Sequence, residues 1–152
     1  MPSSRGFLRS LTTTRIMRLY ETNLIRASPS QLALLESAVL SPENHKRYGQ
    51  DDIFQLAGIL AEKIILNHAY QDGNKRIALL AADMYLKING YQLRGNSPGK
   101  DKVDDDLKSA HVAIATKRWT AQELAECYRS IAKPVNRVPT DIEQYTSDSE
   151  QL

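Results

Sequence analysis

Nine consecutive residues hold an imidazole, a carboxylate, an amide and two cations around one glycine: His68-Ala69-Tyr70-Gln71-Asp72-Gly73-Asn74-Lys75-Arg76. Each side chain has an ordinary use alone. A histidine at a helix end caps it, Asp-Gly makes a turn, and Lys-Arg is a solvated pair. The combination suggests more. A helix starting near Asn74 would aim unpaired backbone N–H groups at any ligand there, which makes an anion site. Gly73 removes a side chain where a ligand would approach the backbone. Asn74, Lys75 and Arg76 add donors, and several donors suit a polyphosphate better than a single carboxylate. Asp72 beside phosphates is repulsive unless a cation lies between them, and Mg²⁺ takes one or two carboxylates together with phosphate oxygens. His68 is placed to take a proton from a hydroxyl nucleophile. These are the parts of phosphoryl or nucleotidyl transfer. The glycine-rich phosphate loops G-x-x-x-x-G-K-[ST] and G-x-G-x-x-G are both absent from the chain.

Such a loop needs rigid flanks. Residues 52–66 are apolar around most of a helical circumference, with Asp51 or Asp52 as the cap. A second apolar helix follows, from about Asn74 to a stop at Asn89-Gly90. Helices of this kind belong in the middle of a domain, so the polar loop is expected between two buried elements. Upstream, Thr13 or Thr14 is expected to cap a helix running to about Ile25. Ser28 with Pro29 would open another, which Ser41-Pro42 would stop. Residues 43–51 then form a surface loop. Downstream, Asp104, Asp105 and Asp106 sit at the start of a fifth helix, where acids suit the dipole. Thr120 caps a sixth, which Pro134 ends. No strand stands out. The fold class is all-α, with about six helices and a central buried pair flanking the loop. The organisation reads as a flexible basic arm (1–12), a folded domain (13–133) and an acidic tail expected to be disordered (134–152).

Composition bounds the alternatives. The 152 residues carry a net charge of +2, which argues against direct nucleic-acid binding. No apolar run is long enough for a membrane span. Cys127 excludes an internal disulfide and reads as a small core residue. With His45, His68 and His111 it leaves little for a structural zinc site. The expected location is cytoplasmic. The acid-free first twenty residues, rich in Arg, Ser and Thr, have a mitochondrial presequence as their other reading.

The nine residues resemble the signature of the Fic/Doc family, His-x-Phe-x-[Asp/Glu]-Gly-Asn-x-Arg, with Tyr70 in the aromatic place. The flanks are similar too: Leu34-Leu35-Glu36-Ser37-Ala38 and Pro42 before the loop, Ala78-Leu79 and Asn89-Gly90-Tyr91 after it. The resemblance spans about residues 15–132 and implies the helical Fic/Doc fold. It also implies ATP as co-substrate and Mg²⁺ held by Asp72. His68 would be the base, and Gly73, Asn74, Lys75 and Arg76 would hold the phosphates. Lys75 stands where adenylylating members have glycine, and Leu79 where they have a second arginine, so the chain looks like the death-on-curing (Doc) branch. That branch implies a reversed nucleotide and transfer of the γ-phosphate to a protein hydroxyl, with a translation elongation factor as the implied substrate. Adenylylation (AMPylation) and a non-catalytic nucleotide-binding module are the alternatives. The branch has alanine in the place of Gly73, a departure read as minor. Residues 43–51 fall where the family has its target-docking flap. Thr146-x-x-x-Glu150 has the spacing of the family's inhibitory helix. Gln151 follows it, and the arginine it would pair with is missing, so it reads as chance. Doc proteins are restrained instead by a separate antitoxin segment, so an antitoxin-like regulator is a further expected partner.

Overall fold

The computed structural model describes residues 9–93 and 100–135. Six helices follow in order: α1 (Thr13–Asn23), α2 (Leu32–Arg47), α3 (Ile53–Asn67), α4 (Asn74–Lys87), α5 (Lys100–Ala115) and α6 (Ala121–Ile131). Among the described residues the chain is all-α apart from one antiparallel pair, β1 (Tyr91–Gln92) with β2 (Lys133–Pro134), in which Tyr91 faces Pro134. Runs of two residues carry no alternation, so this pair has no sequence signal.

Helix α3 is the centre. It packs on α2, α4 and α6, and Leu56, Ala57, Leu60, Ala61, Ile64 and Ile65 are all fully buried. Its approach to α6 is close. A Cβ on Gly58 would meet the Ala121 carbonyl at 2.7 Å. Asp52 caps α3 by accepting from the Phe54 N–H at 2.9 Å, as its residue type predicts. The same carboxylate binds Arg129 of α6, whose guanidinium also lies 4.9 Å from the centre of the Phe54 ring. Glu62 in turn accepts from the Ala121 N–H at the start of α6. Thr120 and Glu123 complete a capping box there. Helix α4 buries Ile77, Ala78, Ala81, Ala82, Met84, Tyr85 and Leu86. The expected central pair, α3 and α4, is therefore the core.

Several helix limits differ from expectation. Thr12, not Thr13 or Thr14, caps α1 by accepting from the Arg15 N–H, and α1 ends at Asn23, leaving Ile25 exposed. Ser28 and Pro29 stay outside α2, which begins at Leu32 with no side-chain cap. Neighbouring Ser30 and Gln31 bind the carbonyl of Ala69 instead. Helix α2 also runs through Pro42 to Arg47. Proline there removes one i→i−4 bond, but Pro42 is buried and the helix continues. Residues 43–47, expected as surface loop, are thus helical. The flap position shrinks to the short link before α3, where Tyr48 is 93% exposed. Helix α5 starts a turn early, so the three acids lie inside it, with Asp106 paired to Lys102 at 3.1 Å. Residues 9–12 are held rather than free: Asn89 exchanges hydrogen bonds with the Arg9 backbone at 2.8 and 3.0 Å, Ser10 donates to Glu43, and Leu11 is buried. The acidic tail beyond residue 135, with Thr146 and Glu150, lies outside the described residues. No helix among the described residues is long and apolar enough to cross a membrane.

Candidate active site

The loop is six residues, 68–73, joining α3 to α4. It begins at His68, the C-cap of α3, in the left-handed region with φ 51°. It ends at Gly73, the N-cap of α4, with φ 77°. Left-handed caps at both ends reverse the chain within a few residues.

Three sets of contacts fix the loop. Tyr20 of α1 donates its hydroxyl to the Asp72 carbonyl at 2.9 Å, and its ring stacks on Tyr70 with centroids 3.7 Å apart and planes within 7°. Gln31 N–H and Ser30 Oγ both donate to the Ala69 carbonyl, at 3.0 and 3.2 Å. Asn74, buried to 7% exposure, clasps Tyr70: its Oδ1 accepts from the Tyr70 N–H at 3.1 Å and its Nδ2 donates to the Tyr70 carbonyl at 2.8 Å. Its Nδ2 also meets His68 Nδ1 at 3.3 Å. The Asn74 amide, expected as a ligand donor, is here spent on holding the loop. Tyr20, Ser30 and Gln31 were not legible as site residues. Tyr20 looks like any aromatic on the apolar side of a helix, and its partner is a backbone carbonyl 52 residues away.

Tyr70 sits in the aromatic place and is 2% exposed. Its hydroxyl has no hydrogen-bond partner among the described residues, and burial pushes the phenol well above its ordinary pKa. Gly73 is required twice. Its φ favours glycine, and a Cβ there would stand 2.6 Å from Leu24 Cδ2.

Beyond the clasp, the site faces outward. His68, Asp72, Lys75 and Arg76 are exposed. Asp72 accepts from the Gly73 N–H through Oδ1 at 3.0 Å, and Oδ2 points to no protein donor among the described residues. Helix α4 has no side-chain cap, so the N–H groups of Asn74, Lys75 and Arg76 begin it without a side-chain acceptor. Neither Lys75 nor Arg76 forms an ion pair among the described residues. Both line a cavity of about 710 Å³ between α1, α4 and α5, with Leu24, Leu79, Leu80 and Val112 as apolar wall. Asp104, Lys108 and His111 of α5 complete it. That volume falls within the usual range for a small-molecule site. His111 belongs to the fold as well as to the cavity. Its Nδ1 bonds the Leu107 carbonyl and its Nε2 the Tyr128 hydroxyl, each at 2.6 Å. Burial pushes its pKa down to about 4, against the opposing pull of the Leu107 bond.

A model of the Fic/DOC family matches residues 4–86, more than half of the chain. The chain belongs to the Fic/DOC family. It is also 43% identical over 95 residues to Toxin Doc of Mycolicibacterium smegmatis, an alignment covering 60% of this chain and 72% of that relative. The family match contains the whole loop and its fasteners. Helices α5 and α6, which close the cavity and hold Asp52, lie beyond it. Two family positions take on physical meaning here. Leu79, where adenylylating Fic members have arginine, is half-buried in the cavity wall, so that wall is apolar. Alanine in the place of Gly73, as in the Doc branch, would here be strained in φ and crowded against Leu24. For this chain the departure is therefore not minor.

Proposed function

We propose that the protein is a Doc-like kinase that transfers the γ-phosphate of ATP to a hydroxyl of a protein. One observation carries this reading. The uncapped N-terminus of α4, flanked by Lys75 and Arg76, which form no ion pair among the described residues, opens on an apolar-walled cavity large enough for a nucleoside. In the reversed pose the γ-phosphate meets the α4 N–H groups, Lys75 and Arg76, and the nucleoside lies toward Leu79, Leu80 and Val112. A nucleotide in the adenylylating pose would send its terminal phosphates the other way, toward Leu79, where this chain has an apolar side chain in place of an arginine.

The residues divide the work. His68 takes the proton of the attacking hydroxyl. The hydroxyl oxygen bonds to the γ-phosphorus while the bond to the ADP oxygen breaks. The α4 N–H groups and the two cations hold the charge that develops on the phosphoryl oxygens. Asn74 and Gly73 keep the loop in shape. Asp72 would hold Mg²⁺, which would neutralise phosphate charge when bound. Its second oxygen suits that role. Among the described residues no three His, Cys, Asp or Glu side chains cluster as a metal cage, so the remaining ligands would be phosphate oxygens and water, as Mg²⁺ prefers. The name of the mycobacterial relative, Toxin Doc, supports a toxin role; the resemblance to the Doc branch adds a translation elongation factor as target and a separate antitoxin segment as regulator.

The test is incubation with Mg²⁺, a translation elongation factor and ATP labelled at either the γ- or the α-phosphorus. Label transferred from γ alone is expected. Transfer from α alone replaces the kinase with an adenylyltransferase. No transfer to any protein hydroxyl, with nucleotide binding intact, replaces both with a binding module.

A further inference from the structure

The three histidines divide by which ring nitrogen carries the proton. In His45, Nδ1 faces the Ser41 carbonyl at 2.9 Å, and in His111 it faces the Leu107 carbonyl at 2.6 Å. A carbonyl only accepts, so both rings carry hydrogen on Nδ1. His111 Nε2 then accepts from the Tyr128 hydroxyl. His68 is the opposite case. Its Nδ1 faces Asn74 Nδ2 at 3.3 Å, and an amide NH₂ only donates.

The orientation of that amide is forced by the backbone. Asn74 Oδ1 meets the Tyr70 N–H and Nδ2 meets the Tyr70 carbonyl. Rotating the amide by half a turn would set NH₂ against N–H and oxygen against oxygen at once. The second hydrogen of Nδ2 is therefore the one that points at His68, and Nδ1 of His68 must be the acceptor. Neutral His68 then carries its proton on Nε2, the nitrogen that has no partner among the described residues.

We propose that Asn74 is a positioning residue that holds His68 in its Nε2–H tautomer. The resting loop thus presents a proton donor to solvent, and His68 becomes a base only when the Asn74 bond is released. On release, the Nε2 proton passes to water and Nδ1 gains one. The Nε2 lone pair then takes the proton of the target hydroxyl, whose oxygen attacks phosphorus as the bond to the leaving ADP oxygen breaks with its electron pair. This rests on the role proposed for His68, but the tautomer is measured independently of any transfer.

The test is two-bond ¹H–¹⁵N correlation on protein with ¹⁵N-labelled histidine, at about pH 8, above the ordinary imidazole range. His68 signals are assigned by their loss in His68→Gln. A pyrrole-like Nε2 with a pyridine-like Nδ1 is expected for His68, and the reverse for His111, which also reports that the fold is intact. Asn74→Ala should shift the His68 tautomer ratio toward Nδ1–H by roughly five-fold, the weight of one ordinary hydrogen bond. Asn74→Asp, whose carboxylate only accepts, should reverse it. A wild-type His68 with hydrogen on Nδ1, or a ratio unmoved in both variants while His111 keeps its pattern, overturns the proposal. The two-label assay separates the two claims. The expected tautomer with no phosphate transfer upholds the role of Asn74 and sinks the kinase reading. Transfer with the opposite tautomer does the reverse.

Discussion

Replacing Gly73 by alanine tests the loop at its most constrained point. Gly73 has φ 77° as the N-cap of α4, and an L residue with a Cβ costs about 1–2 kcal/mol in that region. The added methyl would also stand 2.6 Å from Leu24 Cδ2. That atom is the end of a flexible side chain, so it can move, at about 0.5–1.5 kcal/mol for an off-rotamer shift. Together these come to about 1.5–3.5 kcal/mol, with about 2 kcal/mol expected because the Leu24 side chain can yield. With a urea slope of about 2 kcal/mol/M, the unfolding midpoint should fall by about 1 M. Gly73→Asn separates the two causes. Asparagine tolerates the left-handed region but carries the same Cβ, so the difference between Ala and Asn reports the backbone share. A Gly73→Ala midpoint within about 0.2 M of wild type, well inside the expected shift, would refute the reasoning for both causes together.

Further outcomes follow from neighbouring contacts. Tyr70→Phe removes a buried hydroxyl that has no partner among the described residues, and should raise stability by about 1 kcal/mol in thermal or urea unfolding. His111 is held neutral, with its pKa pushed down to about 4 by burial. Its contribution is present above the unfolded value of about 6.5 and is lost as pH falls toward 4, roughly 3 kcal/mol in all. His111→Gln should flatten that part of a stability–pH curve. Asp52→Ala removes both the α3 cap and the partner of Arg129, and should cost about 1–2 kcal/mol in urea unfolding, most of it from the cap because the ion pair is partly exposed. Lys75→Gly should weaken γ-phosphate transfer in the labelled assay. Unchanged transfer would remove the reason for assigning the Doc branch.

The parts legible in the sequence are those set by local chemistry or by unbroken periodicity. Helix α3 is apolar nearly all round and α4 is apolar on several faces, so their place at the centre follows from residue type. Asp52 and Thr120 act as caps because their side chains reach N–H groups two or three residues on. The density of donors from Asp72 to Arg76 marks an anion site wherever a helix begins there. What could not be read depends on distant partners. Pro42 looks like a stop, yet it is buried inside α2, which continues through it. Ser28 looks like a cap, while the residues just after it serve the loop instead. Leu32, Leu34 and Leu40 fit an apolar side of α2 but are exposed, since only Leu35, Ala38, Val39 and Pro42 face the core. At the site, charge was legible and its fastening was not: Tyr20, Ser30 and Gln31 act through backbone carbonyls, which no residue pattern records.

That fastening has a consequence for the order in which the molecule comes apart. The N–H groups that open the site belong to α4, which is anchored in the core by α3. The carbonyls of Ala69 and Asp72 are instead gripped from α1 and the segment after it, 39 and 52 residues back along the chain. Detaching α1 is a local opening that leaves the α3–α4 pair intact. It frees Asp72 and unstacks Tyr70 while most helical signal persists. On heating or in mild denaturant, activity should therefore fade before circular dichroism reports unfolding, and a refolding chain should regain its helices before its competence.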